Sequence, residues 1–191
     1  IGGLMMYGIP NMKLDKSIID MRTEIMEEEG IKFHVNTDVG GTGENSISME
    51  ALVNDNDIVL LSTGATKPRD LPIKNREGAG VYFAMEFLGQ NTKSLLDHEL
   101  KENDYIDAKG KDVIVIGGGD TGNDCLGTSL RHGCKTLTNF EILPELPPER
   151  MDNNPWPLFP RIYKVDYGHE ESREVFGKDP REYSVSGKEF L

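Results

Sequence analysis

The apolar residues of the first third of the chain recur first at helical spacing and then in consecutive runs. Between residues 15 and 30, large apolar side chains share one helical face, at Ile18, Met21, Ile25 and Met26. This pattern predicts a helix that begins near Ser17 and ends at Gly30. A second, shorter helix is predicted over 48–53, with Ser48 as its N-cap.

Runs of consecutive apolar residues predict strands. Residues 31–35 and 58–62 form two such runs, and the second predicts a buried strand. The polar, glycine-rich segment 38–46 between them predicts a loop. The strand at 58–62 leads into small residues of the kind that let a nucleotide approach the backbone in an open α/β sheet. These residues are Thr63, Gly64 and Ala65.

The most informative pattern lies at residues 113–132. A β-branched run precedes Gly117, further glycines follow at the third and sixth positions, and a helical pattern extends to about residue 132. A strand, a tight turn and a helix start in this order set the pyrophosphate of a dinucleotide on a helix N-terminus. Gly117 would make the turn, Gly119 would admit phosphates to the backbone, and Gly122 would let the helix pack against the strand.

An acidic residue stands where this motif needs one. Gly133 is a typical C-terminal stop, residues 135–140 predict a second strand, and Glu141 follows 24 residues after Gly117. A carboxylate near this spacing binds a ribose 2′-hydroxyl and repels a 2′-phosphate, so the sequence favours NADH over NADPH. The alternative interpretation of Glu141 is a solvated residue at a strand end.

Prolines shape the remainder of the chain. Two of them predict a hinge or linker over 67–80, and the apolar segments 81–88 and 92–96 predict partly helical structure. The proline-rich segment 144–160 predicts an ordered loop, because proline cannot sit inside a regular helix or a central strand. Its tryptophan, Trp156, is expected to anchor the loop by packing, with a cover for nicotinamide or adenine as the alternative.

Composition narrows the possible functions. The 191 residues carry a net charge of −12, which argues against nucleic acid and anionic membranes as partners. No apolar run approaches transmembrane length. Cys125 and Cys134 form no metal-binding or disulfide pattern and are expected to be buried thiols in a reducing compartment. Neither a metal site nor a catalytic nucleophile is predicted.

Several motifs, taken together, resemble one family. They are Gly8-Ile9-Pro10-Asn11-Met12-Lys13-Leu14, 63–72, Phe83-Ala84-Met85-Glu86-Phe87-Leu88, 117–125, Asn154-Pro155-Trp156-Pro157 and Val165-Asp166-Tyr167-Gly168-His169. Through them nearly the whole chain resembles the small (β) subunit of glutamate synthase, and more closely the matching region of the NADH-dependent enzymes. Because the chain begins Ile-Gly-Gly, we expect it to be a piece of a longer protein.

The resemblance implies an α/β fold, with a Rossmann-type (three-layer) NAD-binding domain inserted in a partial FAD-binding domain. Residues 1–67 would end the first FAD-binding segment, and residues 68–191 would form the NAD-binding domain, incomplete at its C-terminal end. The implied cofactors are NADH, FAD in the intact protein, and iron–sulfur clusters and FMN elsewhere in it. The implied partner is the glutamate synthase large (α) part, fused or separate.

The resemblance also implies a reaction. Hydride would pass from NADH to FAD, and electrons would continue to FMN for the synthesis of glutamate from glutamine and 2-oxoglutarate. No catalytic residue is expected, because the cofactors carry the chemistry. The pyridine nucleotide site would comprise Gly117, Gly118, Gly119, Asp120, Thr121 and Gly122, with Glu141 on the adenosine ribose. Two further segments would lie close to FAD, namely Thr63, Gly64 and Ala65, and Gly8, Ile9 and Pro10.

Alternatives remain open. The piece alone is expected to be inactive and to bind FAD poorly, because the FAD fingerprint is missing from it. Asp120 could serve only as a helix N-cap, and Asp124 is expected to face solvent rather than bond near the phosphates. Another flavin-dependent oxidoreductase of the dihydropyrimidine dehydrogenase-like type, or a non-redox nucleotide-binding module, is an alternative function. A cytoplasmic location is preferred to a plastid or other organelle.

Overall fold

The computed structural model describes residues 1–102 and 104–191. These residues form two compact units, one of Ile1 with 17–70 and the other of 2–16 with 71–191. The helices are α1 (Gly3–Tyr7), α2 (Ser17–Glu28), α3 (Met49–Asp55), α4 (Ala84–His98), α5 (Asp120–His132) and α6 (Tyr167–Phe176). The strands are β1 (Asp38–Val39), β2 (Ser46–Ile47), β3 (Asp112–Ile116), β4 (Thr136–Phe140) and β5 (Arg181–Glu182).

The smaller unit contains the two helices predicted for the first third of the chain, α2 and α3. After α2 ends, Gly30 adopts a φ of +93°, a left-handed conformation that glycine accepts without strain. Helix α3 begins as predicted, because the Ser48 hydroxyl oxygen accepts a hydrogen bond from the Ala51 N–H at 3.0 Å. The predicted loop at 38–46 is largely irregular, with the two-residue strands β1 and β2 pairing in parallel at its ends.

The strands predicted at 31–35 and 58–62 are wrong. Both segments have irregular backbone, and Ile58 and Leu60 are 85% and 83% exposed. The sheets found among the described residues offer neither segment a strand to pair with. An extended segment needs such a neighbour for its backbone N–H and C=O groups, and an apolar run alone does not provide one.

The larger unit is built on a three-stranded parallel sheet with the order β3-β4-β5. Ile116 at the end of β3 pairs with Phe140 of β4, and Phe140 pairs with Glu182 of β5. The carboxyl ends of the three strands therefore meet at one edge of the sheet. The α/β class and the two strands predicted on either side of α5 in the sequence, β3 and β4, are confirmed. Strand β5 was not predicted.

Helix α5 packs on one face of this sheet and forms the core with it, whereas Ile114 and Ile116 on the other face of β3 are 59% and 52% exposed. Leu126 of α5 and Leu137 of β4 are 0% and 3% exposed and share a cluster with Cys134. Helix α5 ends at Gly133, which has a φ of +77° as the predicted stop requires. Both cysteines are buried and unpaired, as predicted. No helix in the described part of the chain is long and apolar enough to cross a bilayer.

The proline-rich segment 144–160 is irregular, as predicted, but Trp156 does not anchor it. The Trp156 side chain is 84% exposed and lies on the outer surface of the loop. Asn154, only 5% exposed, holds the loop instead. Its amide nitrogen donates to the Phe159 carbonyl at 3.0 Å, and its oxygen accepts from the Arg161 N–H at 2.8 Å. Hydrogen bonds between the side chains of Asn154 and Arg150 and the backbone of the loop therefore hold its shape.

Candidate nucleotide-binding site

The glycine-rich turn after β3 has the geometry that its spacing predicts. Gly117 adopts a φ of +105°, which favours glycine, and its N–H donates to the Phe140 carbonyl at 2.9 Å. A Cβ at position 122 would lie 2.2 Å from the Gly117 carbonyl oxygen, whereas a Cβ at position 119 would meet nothing within 4 Å. The helix thus packs closely on the turn, and the space over Gly119 stays open.

Asp120 is not the N-cap of α5. Gly119 occupies that position with extended backbone, at φ −73° and ψ −179°, and Asp120 begins the helix. Asp120 and Thr121 are both exposed in the first turn. Among the described residues, no side chain caps the N–H groups of this turn, so α5 presents unpaired donors and the positive end of its dipole at the edge of the sheet.

Glu141 lies against the turn rather than in open solvent. A Cβ at position 118 would lie 1.1 Å from the Glu141 carboxylate oxygen, so the glycine leaves the space that this side chain fills. Partial burial raises the pKa of Glu141, and the nearby Arg181 guanidinium opposes that rise. The structure therefore brings the carboxylate at the end of β4 to the glycine turn at the end of β3.

A cavity of about 380 Å³ opens at this edge of the sheet. Gly118, Gly119, Asp120 and Glu141 line it, as the sequence-based site requires. Most of the other residues that line the cavity form a wall that was not predicted; they come from the β4–α6 loop, α6, and β5 with the residue after it. Its members include Phe159, Tyr163, Lys164, His169, Arg181 and Tyr183.

A buried asparagine of β4 supports the turn from below. Asn139 is 0% exposed, and its side-chain nitrogen donates to the Val115 and Gly117 carbonyls at 3.1 Å each. An asparagine in a predicted strand, where this residue type is uncommon, was the only signal of this role in the sequence. Asn139 thus fixes the end of β3 and the start of the turn.

An arginine of β5 holds the unpredicted wall in place. Arg181 donates from Nε to Asp179 Oδ1 at 2.9 Å and from Nη1 to the Lys164 carbonyl at 2.8 Å. Arg173 of α6 also binds Asp179, and both arginines donate to the Tyr163 hydroxyl. Partial burial would raise the pKa of Asp179, but the two guanidinium groups outweigh it and hold that pKa far below its usual range.

The expectation that Asp124 faces solvent is wrong. The residue is 5% exposed, accepts a hydrogen bond from the Tyr167 hydroxyl at 2.8 Å and lies 3.2 Å from Lys13 Nζ. Burial, together with the Asp124 hydrogen bond, raises the pKa of Tyr167. Because Asp124 lies on the face of α5 that packs against α6, its carboxylate fastens these helices rather than the turn.

The two segments implied by the resemblance to approach FAD do not line this cavity. Gly8 and Pro10 are buried in the larger unit, and the Ile9 carbonyl accepts a hydrogen bond from Lys16 Nζ. Thr63, Gly64 and Ala65 are exposed and irregular in the smaller unit, where Gly64 has a φ of +70°.

Comparison with known proteins gives a consistent set of relatives, although no family model matches the chain. The protein named glutamate synthase [NADH] of Schizosaccharomyces pombe is 58% identical over 189 residues, which are 99% of this chain and 9% of that protein. Its Saccharomyces cerevisiae namesake is 55% identical over 190 residues, again 9% of its length. The glutamate synthase [NADPH] small chain of Bacillus subtilis is 49% identical over 184 residues, 96% of this chain and 36% of that protein.

Proposed function

Because this chain belongs to the small-subunit-like region of glutamate synthases, we propose that it is the pyridine-nucleotide-binding, electron-input part of such an enzyme. The chain spans 9% to 36% of the relatives described above, so the activity of a whole enzyme is part of the proposal. The observation that carries it is the placement of Glu141 against Gly118, beside the uncapped N-terminus of α5.

The residues at this edge of the sheet fit a dinucleotide. The open space over Gly119 admits phosphate oxygens to the backbone, and the first-turn N–H groups of α5, including those of Asp120 and Thr121, favour negative charge. Gly117 and Gly122 shape the turn, and Glu141 accepts from the hydroxyls of the adenosine ribose. When bound, the nucleotide supplies a hydride, and the chain itself binds and orients it.

We assign NADH as the preferred nucleotide because the charge nearest the ribose position is negative. The relatives carry both NADH and NADPH in their names, so the name alone does not decide. Arg181 lines the same cavity as Glu141, and Asp179 already engages its guanidinium. A 2′-phosphate would therefore meet Glu141 without a free arginine to compensate its charge.

The remaining parts of the proposal follow from the family resemblance of the sequence motifs. The NAD-binding domain, residues 68–191, is inserted in a FAD-binding domain whose first segment ends within residues 1–67. Gly8 to Pro10 and Thr63 to Ala65 approach FAD in the intact protein. Electrons continue through iron–sulfur centres to FMN in a fused or separate large part, for glutamate synthesis. The two buried free thiols agree with a reducing, cytoplasmic location.

Calorimetric titration of the chain with NADH and with NADPH tests the site. We expect NADH to bind at least tenfold more tightly, which corresponds to about 1.4 kcal/mol. In Glu141→Ala the two affinities should converge, because the charge that rejects the 2′-phosphate is gone. Glu149→Ala removes an exposed carboxylate of the β4–α6 loop and should change neither affinity. A folded chain that binds neither nucleotide would contradict the proposal.

A further inference from the structure

Two side chains on the inner wall of the cavity each hold a nitrogen without a protein partner. Asn123 of α5 and His169 of α6 are 2% and 5% exposed, and both line the cavity with Gly118 and Gly119. Asn123 Nδ2 and His169 Nε2 make no hydrogen bond to the described residues. A buried polar group without a partner is costly, so these two nitrogens call for a ligand.

The other end of each side chain is committed to the backbone. Asn123 Oδ1 accepts a hydrogen bond from the Gly168 N–H at 3.1 Å, which fixes the orientation of the amide. A Cβ at position 168 would lie 2.6 Å from this oxygen, so the close crossing of α5 and α6 holds the amide in place. The free Nδ2 atom is therefore a donor.

The imidazole of His169 is oriented in the same way. Its Nδ1 accepts from the Asp166 N–H at 3.1 Å in the capping box of α6. Burial, and to a lesser degree the nearby Arg181, lowers the pKa of His169, and this favours the neutral ring. In a neutral ring whose Nδ1 is an acceptor, the proton resides on Nε2, so the unpartnered atom is again a donor.

Because both unpartnered nitrogens are donors, this part of the cavity favours a ligand group that only accepts hydrogen bonds. Asp166 already caps α6, so that helix offers its side-chain donor rather than its N-terminus. Helix α5, by contrast, presents first-turn N–H groups without a side-chain cap. Two buried donors beside such a terminus match phosphate oxygens, which accept several hydrogen bonds at once.

We propose that Asn123 Nδ2 and His169 Nε2 donate hydrogen bonds to the phosphates of the dinucleotide. This assignment rests on the proposed function and extends the site from the glycine turn to α6. It makes both residues direct ligands of the phosphates, whereas Glu141, which lines the same cavity, is assigned to the ribose.

Two variants remove one donor each while they keep the backbone contact. Asn123→Asp retains an oxygen for the Gly168 N–H and replaces the donor by a carboxylate oxygen that repels phosphate. His169→Asn retains an acceptor for the Asp166 N–H and deletes Nε2. We expect each variant of the 191-residue chain to raise the dissociation constants of NADH and ADP at least tenfold, with adenosine binding unchanged. Titration calorimetry measures the first two, and ligand-observed NMR measures adenosine.

His132→Asn is the matched control. His132 is a buried histidine of α5 whose two nitrogens are both partnered, by Asn91 Oδ1 at 2.7 Å and by the Ala108 N–H at 3.2 Å. It should lower the melting temperature and leave the NADH dissociation constant within twofold. An equal loss of affinity in the control would overturn the proposal, because it would reflect general loosening of the helices.

Other outcomes are equally decisive. If wild type binds NADH but both variants bind it within twofold of wild type, the two nitrogens hold only water and the proposal fails, while the proposed function stands. If adenosine weakens as much as ADP, the donors do not bind phosphate. Should His169→Asn fail to fold, Asn123→Asp, with nearly unchanged side-chain volume, decides alone. Failure of wild type to bind either nucleotide overturns the proposed function and this assignment together.

Discussion

Two apolar runs of this chain, 113–116 and 58–61, have similar sequences and different structures. The first forms the last four residues of β3; it is paired along its length with β4, and α5 covers one of its faces, although Ile114 and Ile116 on the other face are exposed. The second is irregular, and its Ile58 and Leu60 side chains are among the most exposed of the chain. A β-branched run therefore predicts a strand only where the surrounding chain supplies a neighbour for its backbone.

The paired run also leads into the proposed nucleotide site. The end of β3 turns at Gly117, where the Phe140 carbonyl and the Asn139 side chain hold the backbone. Residues 63–65 follow the unpaired run with the same small-residue character, yet they have no such support in the smaller unit, where they are exposed. A turn that binds phosphates must be rigid, and the strand before it provides that rigidity.

The largest effect should come from breaking the turn of the paired run. In Gly122→Ala the new Cβ would meet the Gly117 carbonyl oxygen at 2.2 Å. This backbone atom cannot move away without disturbing the hydrogen bonds that join Gly117 to Asn139 and Phe140. We expect a loss of about 2–3 kcal/mol in the free energy of unfolding, measured by urea denaturation. NADH binding should be lost with it.

Gly119→Ala is the control for this prediction. Its Cβ would meet nothing within 4 Å in the free chain. Stability should stay within about 0.5 kcal/mol of wild type, although the methyl group would still hinder phosphates. Equal stability of the two variants would show that the close approach of α5 to the turn is not required.

A smaller effect is expected from the ion pairs that hold the cavity wall. In Asp179→Asn the two guanidinium groups lose their shared carboxylate, and we expect a loss of about 1 kcal/mol at neutral pH after solvent screening. Because the folded-state pKa of Asp179 is lowered, this stabilisation is complete above the ordinary aspartate pKa of about 4 and disappears as pH falls through the folded-state value.

Urea denaturation at pH 7, 5 and 3 measures this dependence. The difference in unfolding free energy between wild type and Asp179→Asn should be equal at pH 7 and 5 and smaller at pH 3. A difference that grows on acidification would contradict the assigned direction of the pKa shift. Glu189→Gln removes a more exposed pair with Lys74, at 2.9 Å, and should have a smaller effect on stability at each pH.

The smallest effect should come from the unpaired run. Leu60→Ser changes a side chain that is 83% exposed, so the free energy of unfolding should stay within about 0.5 kcal/mol of wild type. Leu126→Ala, at a position that is 0% exposed in the paired region, should cost about 2–5 kcal/mol. A cost above about 1 kcal/mol for Leu60→Ser would mean that this leucine packs against the protein in solution.

What the sequence by itself determined lies within short stretches of chain. The strand before Gly117, the helix after it, the stop at Gly133 and the second strand all follow from local spacing and from the backbone freedom of glycine. The position of Glu141 beside the turn could also be predicted. Only one helix and one strand separate the two in sequence, and in a parallel unit the carboxyl ends of neighbouring strands meet at the same edge. Local preference and tertiary structure agree there, so the prediction succeeds.

Only the tertiary structure decided the rest. Asp124 is buried because α6 packs against α5 there, and in the proline-rich loop the buried residue is Asn154 whereas Trp156 is exposed. Residues that are distant in sequence line the same cavity, as Asn123 does with His169 and Glu141 does with Arg181. Burial and long-range contact depend on where distant elements pack, and neither spacing nor composition encodes that position. The geometry of the turn is therefore a local property of the sequence, whereas the other residues that line the proposed site are brought to it by the fold.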